Sequence, residues 1–322
     1  MFCWRLMLGV KQNLFARWAA LKPQNQSAIL MVIGISILGI SDNFVPYVSE
    51  QVGLGQFHFM RSLIALACIL FVARITNITL LPVRWWAVFL RTAFLSISMG
   101  LFFSVLSFLP VAVAGAGLFT SPIFVLLFSL VLFGLRPGWR RILAVFIGST
   151  GVFLILRPDK IDFNLMQLMP VLAGAFYALA SITTRRLCAD ESPLALVMAY
   201  FVFLCIGGLI WASSVPALFD GPFSPEAEFI FRKLVWTATE VWLWIALMAI
   251  MTVIAAWMLF RAYQIAETSY AVIYEYSYLI TGGFVGLVLW QAELNLSSIV
   301  GMVLIILSGV IITLAKRRYT QN

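Results

Sequence analysis

Gly151-Val152-Phe153-Leu154-Ile155-Leu156 and Gly309-Val310-Ile311-Ile312-Thr313-Leu314 close two runs of apolar sequence, and each run holds five long apolar stretches. The stretches are approximately residues 28–48, 55–76, 85–108, 111–133 and 140–157, then 165–187, 194–214, 240–263, 267–290 and 297–315. Each is near the ~20 residues that a helix rising ~1.5 Å per residue needs to cross the hydrocarbon layer. Their length and the lack of strict alternation favour helices over barrel strands. An odd number of crossings per half starts and ends on opposite sides, so the second half lies upside down relative to the first. The sequence thus predicts an all-α integral membrane protein of ten transmembrane helices in two inverted five-helix repeats, an architecture common among secondary transporters.

Composition agrees with that class. The 322 residues are 63% hydrophobic and 11% charged, with a mean hydropathy of +1.02, and a soluble core cannot hide so much apolar surface. The net charge of +8 raises the question of a nucleic-acid surface, and its distribution answers it. With both termini cytoplasmic, sixteen of the twenty-one Lys and Arg lie inside, Arg74, Arg84, Arg91, Arg140, Arg141, Arg185, Arg186 and Arg261 among them. Arg157, Lys160, Arg232 and Lys233 lie outside, and Arg61 is left in the membrane. This is the positive-inside pattern, and no nucleic-acid groove remains.

Residues 1–27 place Cys3, Leu6, Met7, Val10, Leu14, Trp18 and Leu21 on one helical face, which predicts an amphipathic segment on the inner surface. Charges interrupt every candidate signal-peptide core there. The repeats follow at 28–158 and 159–316, and residues 317–322 form a short basic cytoplasmic tail. Cys3, Cys68, Cys188 and Cys205 are widely spaced, so neither a disulfide nor a metal site is expected. The Leu109-Pro110 connection predicts a tight hairpin between the third and fourth spans. The outer loop of residues 215–239, broken by Pro216, Pro222 and Pro225, predicts a short surface helix between Glu226 and Trp236, either a lid or a plain connector. Tryptophans at 85, 86, 139, 211, 236, 242 and 290 read as interface anchors. Thr92, Ser96, Gly100, Ser104 and Ser107 form a small-residue stripe suited to close helix packing.

An ionisable side chain inside a span costs roughly 2.5–3.5 kcal/mol on insertion scales and needs a partner, a watery cavity or a purpose. Asp42 lies about six residues before the outer end of the first span and Arg61 about six after the outer start of the second, at similar depth. They form either a static bridge or a gated one. His58, one turn before Arg61, joins that cluster or caps a polar helix end. Glu275 sits mid-span in the second half, with Tyr270, Tyr274 and Tyr278 repeating every four residues beside it. Carboxylate and phenols together suit an amine or a planar ring; alternatively the phenols satisfy Glu275 in a packed interior. Pro46, Pro122 and Pro170 are candidate hinges. No catalytic constellation, phosphate loop or cofactor motif is present.

Two tracts resemble the repeat of the drug/metabolite transporter superfamily in its EamA-type branch of ten spans. One runs from Leu109-Pro110-Val111 through Phe119-Thr120-Ser121-Pro122 to Trp139-Arg140-Arg141 and Arg157-Pro158; the other runs from Arg261-Ala262-Tyr263 through Glu275-Tyr276 to Ser308-Gly309-Val310. Asp42 followed by Gln56, Phe59, Arg61 and Ser62 also resembles this branch. Leu135 replaces an acidic residue that often closes the fourth span, Glu293 stands at its counterpart, and Ile273 replaces a proline before the Glu-Tyr pair. The resemblance implies a small polar or amphipathic metabolite, such as an amino acid, an amine or a cofactor-like molecule, moving through a cavity between inverted halves in a bacterial inner membrane. Substrate-binding candidates are Asp42, Arg61, Glu275, Tyr274, Tyr278, Tyr270 and His58, with Asp42 or Glu275 available for proton coupling. Competing readings are a channel or lipid-moving protein and a membrane-embedded lipid-modifying enzyme. Membrane lipids are the other expected partners, and oligomeric state is open.

Overall fold

The computed structural model describes residues 18, 20–105, 111–134, 138–156, 168–218, 225–290 and 296–315, and no strand occurs among them. The expected amphipathic face of residues 1–17, the Leu109-Pro110 hairpin, Glu293 and the basic tail lie outside the described residues. In chain order the helices are α1 (Pro23–Asp42), α2 (Val45–Ser49), α3 (Leu54–Thr76), α4 (Trp85–Val105), α5 (Val111–Leu118), α6 (Ser121–Phe133) and α7 (Trp139–Leu156). Then come α8 (Leu168–Leu187), α9 (Pro193–Leu218), α10 (Pro225–Phe231), α11 (Thr239–Ile265), α12 (Thr268–Ala271), a 3-10 turn (Val272–Tyr276), α13 (Ser277–Trp290) and α14 (Leu296–Ala315). Seven helical segments among the described residues are long and apolar enough to cross a membrane. Large apolar side chains cover the outer face, among them Phe71 and Ile75 on α3, Phe89 on α4 and Phe146 on α7. In water such a surface would aggregate; in lipid it is the ordinary exterior. The protein is an integral, multi-pass membrane protein.

Two stretches read as single spans are broken. Residues 111–133 become α5 and α6, parted at Phe119 and Thr120, and residues 267–290 become α12, the 3-10 turn and α13. Pro122 explains the first interruption, since its ring and missing N–H disfavour a continuous helix there. The second has no proline, and the side chains of the turn make its compensating bonds. Between α10 and α11 the expected surface helix ends at Phe231, and residues 232–238 run without helix. That segment is tied down, because Gln56 on α3 donates to Val235 O at 2.7 Å and accepts from Val235 N at 3.0 Å. Arg232 adds a bond to Glu50 O at 2.6 Å.

The tightest pairings are α1 with α11, α3 with α9, α4 with α8 and α7 with α14. Helices meet in lipid by close approach of backbones at small residues. A Cβ on Gly55 of α3 would lie 2.7 Å from Gly208 O of α9, and one on Gly208 would lie 2.8 Å from Gly55 O. The stripe on α4 behaves less uniformly: Thr92 is buried, yet a Cβ on Gly100 would meet nothing within 4 Å. It is Ser98, off the stripe, that bonds α8, donating to Ala173 O at 2.8 Å.

Candidate functional site

α1, α3, α4, α5, α8, α9, α11 and α13 all contribute to a central cavity with about 660 Å³ of empty space, counting its part open to the outside. Its walls are mostly apolar, with seven aromatic rings among them. Phe102 and Phe103 come from α4, Phe119 from the break before α6, and Tyr177, Tyr200, Phe260 and Tyr278 from the helices of the second half. Phe119 and Tyr278 pack with ring centroids 4.9 Å apart. Asp42 and Arg61 supply the charge in this wall, at the similar depth their positions in α1 and α3 imply.

The pair does not close into a bridge: no Asp42–Arg61 contact within 4 Å occurs among the described residues. Asp42 Oδ2 instead accepts from the Tyr278 hydroxyl at 2.9 Å, which joins α1 to α13. The Arg61 guanidinium lies over Phe57 and Phe103, 4.8 and 5.0 Å from their centroids, so the ring faces attract the cation. One terminal nitrogen meets His58 Nδ1 at 3.3 Å. Arg61 Nε and His58 Nε2 are buried without a hydrogen-bond partner among the described residues. A buried guanidinium with a free donor is costly unless something else occupies the site.

Glu275 is fully buried and lies behind the wall, since it is not among the cavity residues. It accepts from the Tyr263 hydroxyl and from Ser121 Oγ, the latter at 3.1 Å. Tyr177 neighbours the same carboxylate and also lines the cavity. Ser121 opens α6, so the carboxylate sits by a helix N-terminus, a place that favours an anion. The expected tyrosine stripe therefore divides. Tyr270 and Tyr274 bond each other at 3.0 Å, Tyr278 faces Asp42, and the phenol that bonds Glu275 is Tyr263 of α11. A regular helix would have kept the stripe on one face, but the 3-10 turn, at ~3.0 residues per turn, shifts the register.

Sequence reasoning missed Arg91. Grouped above with the cytoplasmic charges, it is buried within α4, where Nε donates to Thr184 Oγ1 at 3.1 Å and a terminal nitrogen to Leu196 O at 3.3 Å. Its guanidinium stacks 3.6 Å from the centroid of Phe260, whose ring also lines the cavity. One side chain thus ties α4, α8, α9 and α11 together beside the cavity. Nearby, Gln264 bonds Cys188 O and Glu191 O at 2.8 and 2.7 Å. Glu191 in turn accepts from the backbone N–H groups of Val83 and Arg84, just ahead of α4.

Residues 25–157 match the EamA-like transporter family. An uncharacterized transporter of Helicobacter pylori is 30% identical over 195 residues, which is 60% of this chain and 62% of the relative. A riboflavin transporter of Vibrio cholerae is 27% identical over 162 residues, 50% of this chain and 49% of its own. An S-adenosylmethionine uptake transporter of Rickettsia bellii is 25% identical over 118 residues, 36% of this chain and 40% of its own. The chain thus spans between two fifths and three fifths of these relatives. A solved crystal structure that is 19% identical covers 91% of this chain and 98% of its own, with a TM-score of 0.70, and so shares the fold.

Proposed function

The chain carries an EamA-like transporter family domain over residues 25–157, and on that premise we propose that it is a secondary transporter moving a small, polar, ring-bearing metabolite by alternating access through the central cavity. The carrying observation is that Asp42 and Arg61 line one aromatic cavity without pairing with each other. Unpaired opposite charges in a low-dielectric pocket are held ready for a ligand with complementary groups.

In this reading the protein is two inverted five-helix halves with cytoplasmic termini. Pairing supports it: the first described helix of one half packs on the third span of the other, second on second, third on first and fifth on fifth. The fourth span of each half is the broken one. Such interrupted helices at the centre of the bilayer are how many transporters expose backbone and side chains to a substrate. A ligand would contact Asp42, Arg61 and Tyr278 directly. Glu275 would act one layer back, through Tyr177, either holding the broken helices or exchanging a proton with the cavity. His58 would orient Arg61, and the Tyr270–Tyr274 pair would stand aside from the ligand.

The relatives narrow the panel. They are bacterial proteins named for riboflavin and S-adenosylmethionine, both of which carry planar heteroaromatic rings, and a bacterial inner membrane is the corresponding location. The names fit a transporter rather than an enzyme. Purified protein in sealed vesicles, offered flavins, nucleoside-like cofactors and amino acids in turn, should show saturable uptake of at least one class. Uptake of every compound at the rate of protein-free vesicles, or chemical conversion of one of them, would overturn the reading.

A further inference from the structure

Arg61 and Asp42 differ in what they still need. Arg61 lines the cavity as a donor, fixed in orientation by the two phenylalanine faces and His58, with its Nε sealed inside the protein. Asp42 is an acceptor whose Oδ2 is already engaged by Tyr278. A ligand that bridges the two would present an acceptor to Arg61 and a donor to Asp42. Everything else in the wall is apolar or aromatic apart from Thr252 and the tyrosine hydroxyls.

A zwitterion could bridge the two charges, but both of its ions would lose water on entering this aromatic chamber, and desolvation of an ion costs far more than that of a neutral amide. An uncharged ring bearing an N–H beside a carbonyl meets the same two needs at less cost. It also offers flat faces to Phe103, Phe119 and Tyr278. Resting on the transporter reading above, we infer that the cavity selects an uncharged planar heteroaromatic ring by its amide or imide edge, with Arg61 donating to a ring carbonyl and Asp42 accepting from the adjacent ring N–H.

The inference assigns Asp42 and Arg61 separate halves of one recognition event, and the ligand alone can be varied to test it. The probes are lumichrome, a fluorescent tricyclic imide without a side chain, and its N1,N3-dimethyl derivative, in which both ring N–H donors beside the carbonyls are removed. Binding to purified wild-type protein in detergent is read by fluorescence, without any requirement for flux. Lumichrome should bind, and methylation of both ring nitrogens should weaken binding at least about tenfold, as expected when a charged acceptor loses its donor. In Asp42→Ala the two probes should bind within about twofold of each other, while Arg61→Gln should weaken both. Equal binding of the two probes to the wild type, or no lumichrome binding beside clear binding of tryptophan, would overturn the inference. Tryptophan binding would leave the transporter reading intact, whereas failure of flux with lumichrome still bound would count against transport and not against the recognised edge.

Discussion

Arg61 and Arg91 are both almost completely buried, yet only Arg91 spends its donors on two neighbouring helices and stacks on a third. Arg91→Lys keeps the charge but loses the planar fork and the stack on Phe260. It should lower unfolding stability by about 1.5–3 kcal/mol, the scale of a charged hydrogen bond. Thermal unfolding in detergent checks this, and an unchanged midpoint would show that the tie is not holding the four helices. Cys188, just past the end of α8, is a second residue-scale reporter. Burial pushes its thiol up to about 11, so the reactive thiolate is scarce at neutral pH. Its rate of maleimide labelling should rise about tenfold per pH unit from 7 to 10, and a plateau near pH 8.5 would contradict the buried setting. Sequence made Asp42 and Arg61 legible because charge at depth is conspicuous. Arg91 is equally deep, six residues into its helix, but counting charges by side cannot separate an arginine reaching for the headgroups from one folded into the protein.

At the scale of elements, helix positions were readable and helix breaks only partly so. Pro122 marks the first interruption, whereas the 3-10 turn around Glu275 depends on Tyr263 and Ser121 from other helices, partners no local pattern reveals. Glu275→Leu would orphan those hydroxyls and should cost about 1–3 kcal/mol each for those left buried and unbonded; Glu275→Gln, which can still bond them, should unfold close to the wild type. Equal losses in both would show that charge, not bonding, holds the turn. Crossing glycines give a sharper contrast on a single helix. Gly208→Val would drive a side chain into the Gly55 backbone and should cost about 1–3 kcal/mol. Gly207→Ala, beside it, meets nothing within 4 Å and should be neutral or stabilising by up to about 1 kcal/mol. Unfolding midpoints of the two variants measure the difference directly, and similar values would argue against the α3–α9 crossing.

For the whole molecule, hydropathy established the membrane class, and the family resemblance is matched over residues 25–157. What one-dimensional sequence did not display is the partition of its charged groups: Asp42 and Arg61 at the cavity, Glu275 behind it, Arg91 beside it. Depth along a span can be counted, but the direction a side chain faces depends on crossing helices more than a hundred residues away. The central claim is that one ligand at a time occupies this cavity and is released to alternate sides. Counterflow tests it most directly. Sealed vesicles holding purified protein are preloaded with the unlabelled compound that the uptake panel identifies, and entry of the same compound, labelled and at low outside concentration, is followed with no ion gradient imposed. Preloading should accelerate entry severalfold in the wild type, and Arg61→Gln should abolish the acceleration; entry that ignores preloading and rises linearly with concentration would contradict alternating access and favour an open path.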